Sequence, residues 1–89
     1  MNAILIDPAD NVATVLTEVS AGTEVEFACG EETVRVTARQ AIPRYHKIAV
    51  RDLAQGERVI KYGETIGLAT RPIHAGDHVH TQNLSSDGR

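Results

Sequence analysis

AVRDLAQGERV (Ala49–Val59) and ATRPIHAGDHV (Ala69–Val79) align with each other without a gap. Both segments read Ala-x-Arg-x-aliphatic-x-x-Gly-acid-x-Val. An aliphatic residue before a glycine and a valine after it are typical of two short strands joined by a tight turn, because glycine adopts the positive φ that many turns require. The repeat therefore predicts an all-β fold of short strands with tight glycine turns.

A weaker third copy, VLTEVSAGTEV (Val15–Val25), keeps only the aliphatic-x-x-Gly-x-x-Val frame. These units predict a small sheet folded over on itself, since the repeat is too short and occurs too few times for a solenoid. The segment QAIPRYHK (Gln40–Lys47) does not fit the frame, and Pro43 favours an extended Ile42 before it. We interpret this segment as a crossover between an N-terminal β unit, residues 1–39, and the duplicated half.

Runs of β-branched residues between Asp-Pro, Ala-Gly and Cys-Gly-Glu-Glu turns predict the remaining strands. They lie at Ala3–Ile6, Val12–Val19, Thr23–Phe27 and Thr33–Thr37. ETVRVTA (Glu32–Ala38) alternates apolar and polar residues, which predicts a half-buried strand. No segment carries an apolar stripe of helical period long enough for a substantial helix. We therefore predict one domain over residues 1–84, followed by a polar tail, SSDGR, over residues 85–89.

Charge and size narrow the functional classes. The 89 residues carry a net charge of −3 and no cluster of Lys and Arg, which excludes the basic face that nucleic acid requires. A chain of this size has little scaffold to enclose a ligand pocket of about 300–1,000 Å³. We therefore expect an enzyme only as part of a larger assembly.

The chain has a single cysteine, Cys29, so no disulfide can form within it, which fits a reducing cytoplasm. Its first residues, MNAILIDPADN, carry no basic segment followed by an apolar stretch, so we expect no signal peptide. No apolar run approaches the roughly 20 residues that span a bilayer. We predict a cytoplasmic protein without a membrane or nucleic-acid partner.

The stretch GDHVHTQN places His78 and His80 on either side of Val79. On an extended strand both imidazoles lie on one face while Val79 points into the core. Such a pair can bind a metal such as zinc, or it can face solvent or an interface, and the spacing alone leaves both open. We expect His74 at the surface and His46 as a structural hydrogen-bonding residue at the crossover turn.

IKYGETIG (Ile60–Gly67) carries a second candidate, since Lys61 and Tyr62 stand immediately before a predicted turn at Gly63. A lysine can bind a substrate carboxylate as a point charge, and a tyrosine hydroxyl can donate or accept a hydrogen bond. The alternative is a solvated lysine beside a tyrosine whose ring covers the core.

Asp7, Asp10 and Asn11 offer oxygen ligands for a metal, although Asp-Pro and Asp-Asn are also ordinary turn sequences. The sequence contains no nucleophile motif and no phosphate-binding glycine loop. Composition and spacing therefore lead to a small β domain with a histidine-bearing C-terminal strand.

The segment Tyr45–Asn83 resembles the SAF domain at the N-terminus of the altronate/galactarate dehydratase family. The matching motifs are HKIA (His46–Ala49), VIKYG (Val59–Gly63), IG (Ile66–Gly67) and AGDHVHTQN (Ala75–Asn83). Upstream, DNVATVL (Asp10–Leu16) and AGTEV (Ala21–Val25) resemble the start of the same domain. SAF domains are similar to type III antifreeze proteins, so the resemblance implies a compact β-clip fold.

The resemblance also implies a function. In this family the domain either begins a long enzyme or forms a separate small subunit, and the enzyme is a hydro-lyase. A sugar acid, which is an aldonate or an aldarate, loses water to give a 2-keto-3-deoxy acid. A base removes the proton α to the carboxylate, and an acid helps the β-hydroxyl leave. The chain would be inactive alone and would act with a large dehydratase subunit, and a homo-oligomer stays open.

With this resemblance we expect a site. His78 and His80 would be catalytic and face the active site of the partner. Lys61, Tyr62 and Asn83 would bind substrate, with Lys61 and Tyr62 contacting its carboxylate or the subunit interface. The resemblance implies a divalent metal, Fe²⁺ or Mn²⁺, held mainly by the partner chain. His78 and His80 are further candidate ligands of that metal.

Two other functions stay open. The small subunit of sulfolactate sulfo-lyase has a similar HKIA…IKYG…GDHVH pattern and eliminates sulfite in place of water. SAF domains also serve as carbohydrate-recognising or assembly modules without catalysis. The combination of KYG with HVH favours the dehydratase branch, although Gln82 stands where many members of that branch have a further histidine.

Overall fold

The structure, a computed structural model, describes residues 1–86. Within these residues the chain forms nine short β-strands and no helix, which confirms the all-β prediction. The strands are β1 (Ala3–Ile4), β2 (Val12–Val15), β3 (Glu24–Cys29), β4 (Glu32–Thr37), β5 (Lys47–Ala49), β6 (Arg58–Lys61), β7 (Glu64–Ala69), β8 (His78–Val79) and β9 (Leu84–Ser85). Among the same residues no helix has the length and hydropathy needed to cross a membrane.

Antiparallel pairing arranges these strands in three small sheets. The largest contains β1, β2, β5 and β8 in that order, β3 and β4 form a hairpin, and β6, β7 and β9 form the third sheet. The predicted strand Val12–Val19 is wrong as a single strand. β2 ends at Val15, whose carbonyl accepts a hydrogen bond from the Tyr45 N–H, and Val19 forms a separate β-bridge with Ile42. Pairing with a distant segment causes this bend, and a local run of β-branched residues does not encode it.

The C-terminal strand β9 pairs with β7, with Ser85 opposite Leu68 and Leu84 opposite Ala69. The predicted polar tail, residues 85–89, therefore begins inside a strand. Residues 87–89 of that prediction lie outside the described part of the chain.

The glycine turn has a fourth copy. The three predicted turns have positive φ at their glycines, 89° at Gly22, 86° at Gly56 and 94° at Gly76. The same turn forms at Pro43–His46, where Tyr45 takes the glycine position with a φ of 68°. The N–H of His46 closes it by donating to the carbonyl of Pro43 over 3.1 Å. The segment Gln40–Lys47 is therefore a further copy of the repeat as well as a crossover. The repeat pattern in the sequence does not reveal this copy, because Tyr45 stands at the position of the turn glycine.

Buried aliphatic residues bracket these turns. Those before the turns are Val19, Ile42, Leu53 and Ile73, and those after them are Val25, Ile48, Val59 and Val79. The residues before the turns form two β-bridges, Val19 with Ile42 and Leu53 with Ile73. The described chain thus consists of two similar halves, each packed around its own cluster of buried apolar side chains.

Strand β5 joins the two halves. It pairs with β2 on one side and with β8 on the other, and Ile48 packs in the first apolar cluster while Ala49 packs in the second. Consecutive side chains on a strand point to opposite faces, so this short strand contacts both cores. Its pairing with β8 holds the segment before β5 and the segment around β8 in fixed register.

Two turn glycines, Gly56 and Gly76, have similar φ but different surroundings. A Cβ on Gly56 would meet nothing within 4 Å, whereas a Cβ on Gly76 would clash with the carbonyl oxygen of Thr37. We expect Gly56→Ala to lower the free energy of unfolding by about 1 kcal/mol, the cost of left-handed backbone in a non-glycine residue. Gly76→Ala should lower it by about 3 kcal/mol, because overpacking is added. Urea denaturation measures both, and equal losses would contradict this account of the turns.

Candidate functional site

Three histidines meet where β5 and β8 pair. His46 directly precedes β5, His78 begins β8 and His80 follows it, with Ile48 paired opposite His78. His46 Nδ1 lies 2.9 Å from His78 Nε2. The ring centre of His80 lies 4.5 Å from that of His46 and 5.6 Å from that of His78. We call His46, His78 and His80 the histidine cluster, since one nitrogen from each ring falls within 4.8 Å of the others.

The histidine cluster contains a ring that the sequence did not single out. His78 and His80 lie on one face while Val79 is buried, as the strand period predicts. His46 makes structural hydrogen bonds at its turn through its backbone, but its ring joins the other two and supplies the third partner that the spacing around β8 lacked. Its place in the HKIA motif is the only sequence signal for it, because 32 residues separate it from His78.

The contact between His46 and His78 joins two ring nitrogens, so one must carry a proton and the other a lone pair. Burial lowers the pKa of His78, and electrostatic interactions with His46, His80 and Lys47 lower it further. His78 is therefore neutral at pH 7, since an unperturbed histidine has a pKa of about 6.5. A neutral imidazole can act as a general base or bind a metal.

Lys47 lies beside the histidine cluster, and Lys61 lies near Lys47. Lys47, the first residue of β5, is half-buried, and burial followed by the charge of Lys61 lowers its pKa. The two ammonium groups are therefore close enough to repel each other. The Lys61 ammonium also lies 4.7 Å from the centre of the Tyr62 ring, within the range of a cation–π contact. This face attracts an anion such as a carboxylate.

Tyr62 lies in a two-residue hairpin turn between β6 and β7. Lys61 pairs with Glu64, and Tyr62 and Gly63 between them have φ of 60° and 71°. Positive φ at both residues defines a type I′ turn, which favours Asn-Gly or Asp-Gly. A tyrosine in this conformation costs roughly 1–3 kcal/mol, yet the residue is 58% exposed. Packing of the Tyr62 ring does not offset this strain, so other contacts must hold the turn.

Asp10 fixes this turn. Its carboxylate is almost fully buried, and it accepts hydrogen bonds from Gly63 N over 2.8 Å and from Tyr62 N over 3.1 Å. Asn11, also buried, accepts from Ile60 N over 2.8 Å and so extends the pairing of β6. Two of the three residues that the sequence offered as oxygen ligands, Asp10 and Asn11, are therefore used by the turn and the adjoining strand, and the third, Asp7, accepts from Ala9 N over 2.9 Å.

Asn83 closes the turn that carries two of the three histidines. Its Oδ1 accepts from His80 N over 3.0 Å, and its Nδ2 donates to the carbonyl of His78 over 2.8 Å. The side-chain amide of Gln82 donates to the same carbonyl over 3.1 Å and lies 3.3 Å from His78 Nδ1. Both ends of the Asn83 side chain thus position the histidines, and its contact with a substrate stays a prediction.

The remaining histidine lies apart from the histidine cluster. The side chain of His74 is 58% exposed, and its Nδ1 lies 4.0 Å from an Asp52 oxygen. This is the surface position that the sequence predicted. It makes His74 a matched control for substitutions in the histidine cluster.

The fold and the site define a small β domain that carries a cluster of histidines with a lysine beside it. Residues 1–87 match the family model of the altronate/galactarate dehydratase SAF domain. The chain therefore belongs to this family, which confirms the resemblance seen in its motifs.

The curated relatives are enzymes or enzyme subunits. Over 87 residues, 98% of this chain and 17% of the relative, it is 46% identical to altronate dehydratase of Escherichia coli (strain K12). Over 76 residues, 85% of this chain and 14% of the relative, it is 32% identical to galactarate dehydratase (L-threo-forming) of the same organism. Over 52 residues, 58% of this chain and 78% of the relative, it is 47% identical to (2R)-sulfolactate sulfo-lyase subunit alpha of Paracoccus pantotrophus. The chain thus spans less than a fifth of these two dehydratases.

Replacing Asp10 by alanine removes the acceptor for the N–H groups of the hairpin turn. We expect the free energy of unfolding to fall by about 2–3 kcal/mol, because hydrogen bonds to charged groups contribute about 1.5–3 kcal/mol. The loss should be smaller when Tyr62→Gly is also present, since glycine removes the strain that the carboxylate offsets. Urea denaturation measures both effects.

The control for this prediction is Asp7→Ala. The carboxylate of Asp7 accepts from the exposed Ala9 N–H, so its removal should cost less than about 1 kcal/mol. A loss at Asp7 as large as the loss at Asp10 would contradict the role given to Asp10.

Proposed function

We propose that this chain is the SAF domain, or the separate small subunit, of a cytoplasmic sugar-acid dehydratase, and that it acts with a large dehydratase subunit. The reaction is the elimination of water from an aldonate or aldarate to give a 2-keto-3-deoxy acid. The observation that carries this proposal is the histidine cluster with Lys47 beside it and Lys61 near Lys47, in a family whose relatives include altronate and galactarate dehydratases. Ammonium groups and imidazoles bind the carboxylate and the hydroxyls of such acids.

The geometry supports a role for a second chain or domain. The described chain measures only 32 × 26 × 19 Å, and all three rings of the histidine cluster are half-buried. This chain therefore provides one wall of a site. Elimination needs groups positioned around the substrate and the exclusion of water. The opposite wall would come from the large subunit, so the chain alone would be inactive.

Each candidate residue has a task in this reaction. The Lys61 ammonium and the Tyr62 hydroxyl bind the substrate carboxylate at the exposed hairpin turn. Neutral His78, hydrogen-bonded to His46, accepts or relays a proton. His80 orients the β-hydroxyl or protonates it as it leaves.

The resemblance also implies a divalent cation, Fe²⁺ or Mn²⁺. Imidazole nitrogens suit Fe²⁺, whereas Mn²⁺ prefers carboxylate and carbonyl oxygens, so the donors of the histidine cluster fit Fe²⁺ better. When bound beside the substrate carboxylate, such a cation makes the α proton more acidic. Oxygen ligands, which Mn²⁺ would need, would come from the large subunit.

A second candidate is the alpha subunit of a (2R)-sulfolactate sulfo-lyase. Sequence identity supports it, because the chain is 47% identical to the Paracoccus pantotrophus subunit over 52 residues and 46% identical to the Escherichia coli altronate dehydratase over 87 residues. Both eliminations start with loss of the proton α to a carboxylate and differ in whether hydroxide or sulfite leaves the β carbon. The histidine cluster and Lys61 can serve either reaction.

The deciding experiment measures keto-acid formation from a panel of aldonates and aldarates, with sulfolactate included. The chain is assayed alone and mixed with the large dehydratase-like protein encoded beside it, in the presence of Fe²⁺ or Mn²⁺. Keto acid formed only by the mixture supports a two-chain lyase, and released sulfite distinguishes the two reactions. No turnover in either assay, with tight binding of a sugar acid by this chain alone, would support a non-catalytic binding module instead.

In the active mixture we expect His80→Ala to lower kcat by about 10²–10⁴, the usual loss for an acid–base group. His74→Ala removes an exposed imidazole and should leave the rate unchanged. An unchanged rate in His80→Ala, with the complex still assembled, would contradict the catalytic assignment of His80.

We also expect Lys61→Met to raise the KM for the sugar acid about tenfold with little change in kcat. The lysine would bind the carboxylate equally well in the ground state and the transition state, so its loss weakens substrate binding without slowing the chemical step. Arg35→Met is the matched control. It removes one positive charge from the β3–β4 hairpin, where Arg35 pairs with Glu24 and Glu26. A fall in kcat at unchanged KM would show that Lys61 acts on the reacting atoms and not on the carboxylate.

A further inference from the structure

We infer that His46, His78 and His80 form a divalent-metal site that this chain can occupy without its partner. The inference deepens the proposed function, because the resemblance alone would place most of the metal ligands on the large subunit. Binding by the isolated chain, however, does not require lyase activity. The donor set is three imidazoles with a fourth position open, which suits Fe²⁺ and Zn²⁺.

The distances between the ligand nitrogens of the histidine cluster span the distance expected in a three-histidine metal site. Metal–nitrogen bonds of about 2.0–2.1 Å in tetrahedral geometry place ligand nitrogens about 3.4 Å apart. In the histidine cluster His46 Nδ1 and His78 Nε2 are 2.9 Å apart, and all three ligand nitrogens lie within 4.8 Å of one another. Rotation of the side chains, by about 1 Å at the nitrogens, therefore closes the site without any change in the pairing of β5 with β8.

Binding requires a rearrangement of one proton. His46 and His78 share a hydrogen bond, so one of the two facing nitrogens carries a hydrogen. A metal ion needs a lone pair on both nitrogens. The hydrogen therefore moves to the other nitrogen of its ring, and the ion takes its place between the rings.

The surrounding backbone is already fixed for this arrangement. His46 N donates within its own turn over 3.1 Å, and its carbonyl accepts from β2 over 3.0 Å. Asn83 ties the backbone of the other two histidines. The half-buried rings leave a path for the ion to enter.

The charge of nearby Lys47 predicts which fourth ligand a bound metal ion would prefer. The charge of Lys47 acts on His78 and would act on a cation bound there. It weakens binding of the bare ion and favours an anionic fourth ligand over water. A sugar-acid carboxylate is such a ligand, so metal and acid would bind together better than either binds alone.

The test is a Co²⁺ titration of the full chain, followed by visible absorption and calorimetry, because Co²⁺ takes imidazole ligands and its absorption reports their geometry. We expect one Co²⁺ per chain, displaced by Zn²⁺. His46→Ala, His78→Ala and His80→Ala should each weaken binding at least about tenfold, the scale on which even partners of the ligands affect metal affinity. His74→Ala should bind as the unchanged chain does, and Lys47→Met, which removes the nearby charge, should bind severalfold more tightly.

Folding is monitored by thermal denaturation of each variant. His46→Phe, which keeps a flat ring but offers no nitrogen, replaces His46→Ala if the alanine variant does not fold. Absence of Co²⁺ binding, or binding that survives loss of all three histidines, would overturn the inference. Loss of binding in His74→Ala would do the same.

Co²⁺ binding by the isolated chain tests the metal site, and keto-acid formation by the mixture tests the dehydratase proposal. Co²⁺ binding by the isolated chain, without keto-acid formation in the mixture, would leave the metal site standing and overturn the dehydratase proposal. Keto-acid formation without Co²⁺ binding by this chain would overturn the metal site alone.

Discussion

The pairing of β5 with β8 is the contact on which both the core and the candidate site depend. Ile48 and Val79 are fully buried on these strands, and burying an aliphatic side chain contributes roughly 1.5–3 kcal/mol. A slip by one residue would turn apolar side chains outward and His78 inward, so burial holds the register. The histidine cluster forms only in that register. Stability and function therefore depend on the same two short strands.

Internal duplication explains how so short a chain assembles this site. The turns around Gly22 and Gly56 lead into the hairpins β3–β4 and β6–β7, whereas the turns around Tyr45 and Gly76 lead into β5 and β8. The second pair carries the histidines. The site thus lies where the two halves meet, with one ring from the first half and two from the second. Neither half alone supplies the three imidazoles of the histidine cluster, because His74 of the second half lies apart from it.

Backbone strain marks the same surface. Tyr45 and Tyr62 are the two non-glycine residues with positive φ in the described chain. Both are more than half exposed, and each ring lies beside a cation, Arg44 or Lys61. Strained residues persist where the surrounding structure over-determines them, and they concentrate at functional sites. Here one directly precedes His46 and the other follows Lys61, so the strain borders the basic, histidine-bearing face.

The sequence by itself determined the all-β class, the three glycine turns, the family and the shared face of His78 and His80. Positive φ at glycine and the two-residue period of a strand are properties of neighbouring residues, which a local pattern records. The tertiary structure alone decided that His46 completes the histidine cluster and that Asp10 holds the turn at Tyr62, since 32 and 52 residues separate the partners. Such contacts arise from strand pairing and burial across the whole chain, which no local pattern encodes.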